Sequence, residues 1–156
     1  MGDNERLAYL IGVDHRIQYT NASCGPEWRA DIKALEDYLV DKALELNVDM
    51  LAEEFNEEYL VQNHATGCTV RDAAGRVEKQ HVFCEPDADE REAKKLNTTD
   101  LRENFWLDRL LKSGASSILF VCGDDHLKSF SNKLNAAGFE TTMLSKNWGN
   151  DWMIKQ

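Results

Sequence analysis

The chain has 156 residues, of which 42% are apolar and 29% charged, and carries a formal net charge of −10. That length and balance predict one globular domain over residues 1–156, large enough to bury a core without disulfides or a structural metal. The acidic excess opposes binding to a phosphate backbone, which needs a Lys/Arg-rich surface, and opposes adhesion to anionic membranes.

Leu7–Val13, "LAYLIGV", is a continuous apolar run and reads as a buried strand. "RIQYTNASCGP" follows as a loop, with Pro26 at the first turn of a helix. Trp28, Ile32, Leu35, Leu39, Ala43 and Leu46 recur at three- and four-residue steps, which predicts an amphipathic helix over Glu27–Leu46 stopped at Asn47. "VDMLAEEF" reads as a strand ending in two glutamates. In "NEEYLVQNHATGCTVRDAAGRVEKQ" a short helix followed by a loop is expected. "HVFCEP" is a short strand, and "DADEREAKKLNTTD" an exposed loop with one helical turn.

Leu101, Phe105, Leu107, Leu110 and Leu111 define the next helix, with Asp100 and Glu103 placed as a capping box at its start. "SILFVCG" is the most strand-like run of the chain. Leu127, Phe130, Leu134 and Ala137 make a further helix stopped by Gly138, and "FETTML" a last strand. The tail "SKNWGNDWMIKQ" is expected to pack through Trp148 and Trp152, and leaves room for an oligomer. Strands alternating with helices predict an α/β three-layer sandwich: a mainly parallel sheet of about five strands with helices on both faces.

The four cysteines, Cys24, Cys68, Cys84 and Cys122, show no CxxC spacing and read as free thiols of a reducing, cytoplasmic setting. The N-terminal run is acidic and short, unlike a signal peptide. No stretch approaches the ~18–20 apolar residues of a membrane span.

In an open parallel sheet, ligands bind beyond the carboxyl ends of the strands. Three such ends carry polar groups here: Asp14, His15 and Arg16; Glu53 and Glu54; and Asp124, Asp125 and His126. "GVDH" at Gly12–His15 and "GDDH" at Gly123–His126 share the form Gly-x-Asp-His, and two of the four histidines lie in them. Glycine lets a strand end turn sharply and approach a ligand closely. Histidines and carboxylates converging at one edge suit a divalent ion such as Mn²⁺, Co²⁺ or Zn²⁺, or a metal-free His/Glu general base. Asp and Gly also form caps and turns without any chemistry, and Asp124 or Asp125 is placed to cap the following helix.

These motifs resemble the TraB/TIKI family, whose relatives include ChaN-like proteins and erythromycin esterases. The resemblance lies in Gly12–His15, in Glu54–Phe55 after the second strand, in Gly123–His126, and in Arg102 early in the helix before the late strand. It implies that His15, Glu54 and His126 form the metal-binding or catalytic set, and that Arg102 steadies an anionic substrate or intermediate. It implies hydrolysis of a peptide or other small substrate, metal-dependent as in the TIKI members or metal-free as in the esterases. This chain is more compact than the family and lacks the insertions that would form a lid. The expected set is therefore His15, Glu53 or Glu54, His126 and Arg102, with Asp14, Asp124 and Asp125 as acceptors that orient the histidines. Arg16, Gln18 and Arg91 are placed either to reach substrate or to stand as solvated loop residues. The alternative is a binding or regulatory module that uses the same cleft without turnover.

His64–Cys68 and Cys122–His126 have four-residue spacing that can serve Zn²⁺, although Cys122 should point into the core. His81 reads as a solvated or hydrogen-bonded histidine. No P-loop, GxGxxG after the first strand, GxSxG or HExxH is present.

Overall fold

The computed structural model describes residues 5–149. Five strands form one parallel sheet: β1 (Arg6–Val13), β3 (Met50–Glu53), β5 (Gln80–Phe83), β6 (Ser117–Gly123) and β7 (Phe139–Trp148). Their spatial order is β5-β3-β6-β1-β7. A minor antiparallel pair, β2 (Tyr19–Thr20) and β4 (Gly67–Cys68), lies outside it.

The apolar strand runs alternate between two cores, because successive side chains leave opposite faces of a strand. Ile11, Val13, Leu51, Leu119 and Val121 pack under helices α1 (Pro26–Leu46) and α3 (Thr69–Arg76). Leu10, Met50, Ala52, Ile118 and Phe120 pack under α5 (Thr99–Ser113) and α6 (Leu127–Ala136). This is the expected three-layer sandwich, and its sheet is wholly parallel. Among the described residues no helix is long and apolar enough to cross a membrane.

The long helix α1 runs as its periodicity requires, and Asn47 ends it in the left-handed conformation at φ 49°. Other boundaries differ from the sequence reading. The segment expected as loop after the short helix α2 (Glu57–Gln62) holds β4 and α3. The buried face of α3 is Thr69, Val70, Ala73 and Ala74, residues too small to mark an apolar stripe.

The charged segment after β5 forms two turns of helix, α4 (Ala88–Lys94). Asp87 and Glu90 make the capping box there. The helix α5 is capped by Thr98, whose hydroxyl accepts from the Leu101 N–H, so Asp100 and Glu103 are not its capping box. β7 runs past the expected strand to Trp148, whose ring packs on Tyr38; Trp152 lies outside the described residues.

Chain direction along the sheet sets up the site. After β1 and β3 the chain returns over the α1/α3 face, whereas after β6 it returns over the α5/α6 face. Since β6 lies between β1 and β3, its tip turns away from both neighbours. Crevices open there, at the carboxyl edge, where open α/β sheets hold ligands.

A candidate active site at the strand tips

Each tip delivers one residue of the expected set. A 3₁₀ turn at His15–Ile17 follows β1 and presents His15. Glu54 directly follows β3. A second 3₁₀ turn, Asp124–His126, follows β6 and presents His126. Glu54 lies between the two rings. His15 Nε2 stands 3.4 Å from Glu54 Oε1, and His126 Nε2 stands 3.4 Å from Glu54 Oε2. The same carboxylate accepts from the Gly123 N–H at 2.9 Å and from Arg102 Nη2 at 2.9 Å.

The other ring nitrogens have their own partners. Gln18 donates its amide N–H to the fully buried carboxylate of Glu53 at 2.9 Å, so its amide oxygen faces His15 Nδ1. His15 Nδ1–H therefore donates to Gln18 at 2.5 Å. On the other side, His126 Nδ1–H donates to Glu103 Oε2 at 2.8 Å, and the Ser129 hydroxyl donates to that oxygen at 2.6 Å. Trp106 packs edge-on against the His126 ring with centroids 4.8 Å apart. The Nδ1–H of each ring is thus fixed by its partner, and each Nε2 faces Glu54.

The acceptors that orient the histidines are Gln18 and Glu103, not the aspartates. Asp14 caps its own 3₁₀ turn and pairs with Arg16. Asp124 Oδ1 accepts from the Asn147 N–H, and neither 3₁₀ nor α6 start carries a side-chain cap, so no aspartate caps that helix. Asp125 sits beside Asp14 and Asp124 in the wall of an adjoining cleft of about 300 Å³ that also includes His15 and His126.

Strand alternation decides between the two glutamates. Glu54 enters the site. Glu53 points to the opposite side, where it meets Gln18, His81 Nε2 at 2.5 Å and the Cys68 thiol at 3.5 Å. His81 is accordingly a hydrogen-bonded histidine. Cys122 is buried in the core, and His64 is exposed, so neither four-residue His/Cys pair forms.

The two glycines fit the opposite motif. A Cβ on Gly12 would stand 2.2 Å from Asp124 Oδ1 and 2.7 Å from Leu127 Cδ1. A Cβ on Gly123 would stand 3.1 Å from His15 Nε2. Each Gly-x-Asp-His therefore supplies the room that the other one fills.

A cleft of about 160 Å³ opens over His15 and Glu54, with Phe55 and Tyr59 among its aromatic lining and Arg91 and Arg102 among its charged lining. Arg91 Nη2 reaches Glu85 at 2.7 Å, and Arg102 bridges Glu85 and Glu54. Glu85, which also accepts from Trp106 Nε1 at 2.9 Å, is a site residue that the sequence reading missed. Burial pulls the Arg102 guanidinium down, but the carboxylates of Glu85 and Glu54 outweigh it and hold it above its ordinary value.

The geometry tests the expected ion. Two imidazoles with fixed Nδ1–H suit a metal. Glu54 does not complete the set, because the donor atoms of His15, Glu54 and His126 do not all lie within 4.8 Å of one another. Among the described residues, the donors gathered within 4.8 Å of one another are those of Glu53, Cys68 and His81. His15, Glu54 and His126 therefore do not gather as one set of ion ligands.

No family model matches the chain, and no curated protein or solved structure matches it.

Proposed function

We propose that the chain is a small hydrolase of the TraB/TIKI type in which His15 acts as a metal-free general base on water. The reading rests on one observation: two imidazoles, each with its Nδ1–H held by a buried partner, aim their Nε2 atoms at one carboxylate beside an open cleft.

His15 takes the proton, since it is the more open of the two rings at 40% side-chain exposure against 12% for His126. Glu54, 3.4 Å from His15 Nε2, stabilises the imidazolium that forms by its negative charge. The His15 imidazolium then returns that proton to the leaving group. Arg102 and Arg91 offset negative charge on the substrate carbonyl oxygen as it develops. Phe55 and Tyr59 shape the wall for a small substrate, an ester or a short peptide.

The test is turnover of a panel of activated esters and short peptides by the purified chain. The expected result is hydrolysis that falls ~10²–10⁴-fold in His15→Ala, the size of a general-base contribution, and falls also in Glu54→Gln, with both variants folded by circular dichroism. Turnover indifferent to both substitutions would overturn the proposal. Ligand-induced thermal stabilisation without turnover would assign the cleft to a binding module instead.

A further inference from the structure

We propose a second site behind the cleft: Glu53, Cys68 and His81 bind a thiophilic divalent cation, Zn²⁺ by preference, which braces the His15 side of the cleft through Gln18. The inference does not depend on the hydrolase reading.

Three elements supply the donors. Glu53 ends β3, His81 lies on the neighbouring strand β5, and Cys68 ends β4 and precedes α3. One ligand atom from each lies within 4.8 Å of the others. Carboxylate, imidazole and thiolate are the ligand types that Zn²⁺ takes, and a thiolate selects against Mg²⁺, Ca²⁺ and Mn²⁺.

The spacing suits an ion. Tetrahedral ligands about 2.0–2.3 Å from Zn²⁺ lie roughly 3.3–3.7 Å apart. Cys68 Sγ is already 3.5 Å from Glu53 Oε2. His81 Nε2 is closer, at 2.5 Å, and reaches that spacing by a shift of about 1 Å. Its strand β5 is the outer strand of the sheet, so among the described residues no further strand blocks that movement. Three protein donors leave the fourth position to a water.

The choice of cysteine supports this further. A thiol is a weak hydrogen-bond donor, and a hydroxyl would serve the buried Glu53 carboxylate better. Thiolate chemistry gives Cys68 a reason to be there. Cys68 is the N-cap residue of α3, an end of the helix whose dipole favours negative charge. Without an ion, burial and the Glu53 charge hold the thiol protonated. Metal binding expels that proton to solvent, as it does for any coordinating thiol. Glu53 keeps its other oxygen on Gln18, whose amide oxygen orients His15. The ion would therefore fix the group that presets the His15 tautomer.

The experiment is a Co²⁺ titration of the purified, reduced full-length chain, read by near-ultraviolet and visible absorption. One equivalent of Co²⁺ should give a thiolate-to-cobalt charge-transfer band, and Zn²⁺ should displace it. The band should vanish in Cys68→Ser and weaken at least tenfold in affinity in His81→Ala. It should persist in the His15→Ala/His126→Ala double variant, which removes the strand-tip histidines but no sulfur. Absence of the band from the unsubstituted protein would overturn the proposal, and needs no variant to fold. So would cobalt binding that lacks the sulfur band, or binding lost only in the double variant, which would place the ion at the strand tips. No hydrolysis by the unsubstituted protein, with the band intact, would refute the hydrolase reading alone.

Discussion

Gly12→Ala is the sharpest perturbation that the site offers. The added methyl would meet Asp124 Oδ1 at 2.2 Å and Leu127 Cδ1 at 2.7 Å, both far inside contact distance. Asp124 is short and can move only by giving up the Asn147 N–H, which it accepts at 2.9 Å. Leu127 is buried and has little room to turn. Overpacking of this kind costs about 1–3 kcal/mol, and a hydrogen bond to a charged group contributes about 1.5–3 kcal/mol. The two share a residue and will not add fully, so a total of about 2–4 kcal/mol is expected. For a domain of this size that lowers Tm by roughly 4–16 °C. Gly123→Ala is the internal control. Its methyl would meet His15 Nε2 at 3.1 Å, so the ring yields by only a few tenths of an ångström. Urea denaturation should find Gly123→Ala within about 1 kcal/mol of the parent, while its His15 imidazole resonances move and those of His81 stay. A Gly12→Ala protein as stable as the parent would refute the claim that the two motifs occupy each other's space.

Glu103→Ala strips the acceptor from both His126 Nδ1–H and the Ser129 hydroxyl; it should cost about 1–3 kcal/mol in urea unfolding, and Glu103→Gln, which keeps an oxygen, should recover most of that. Arg102→Ala leaves the buried carboxylates of Glu54 and Glu85 without the cation between them. A loss of about 3–5 kcal/mol is expected by denaturation, and a loss under 1 kcal/mol would show that water replaces the guanidinium freely. Burial pushes the Cys84 and Cys122 thiols up, so folding favours their protonated form. Their contribution to stability is full below the unfolded thiol value of about 8.5 and declines as pH rises above it. Stability should therefore fall between about pH 8.5 and 10, and the fall should be shallower in a Cys84→Ala/Cys122→Ala variant; equal slopes would sink the argument.

The residues at strand tips were legible because a strand end is a local signal. "LAYLIGVDH" and "SILFVCGDDH" announce both the apolar run and the polar group that ends it. Glu54 could be narrowed only to a pair, because which side of the sheet a residue faces depends on register against neighbours. The supporting groups were hidden for a different reason: their partners lie far away in sequence. Glu103 sat where a helix start invites a capping role, yet helical periodicity marks it. Glu103, Trp106 and Leu110 fall on one face, and all three are buried. That alignment signals a buried carboxylate that needs a partner. Glu85 and His81 carry no comparable signal, since a polar residue in or just after a four-residue strand is common on solvated surfaces. Helix α3 was missed because alanine and threonine make a core face without large side chains.

The position of β1 has a consequence for how the chain is made. It is the first strand to be synthesised, yet its sheet neighbours are β6 and β7, the last two. Leu7 pairs with Ser117, so this apolar segment stays without either neighbour until Ser117 and the residues after it have been synthesised. Until then both edges of a buried-type strand are open to other chains, a state prone to aggregation. His15 emerges early and meets His126 only when the sheet closes. The strand-tip cluster is therefore assembled only after the last parallel pairings are made.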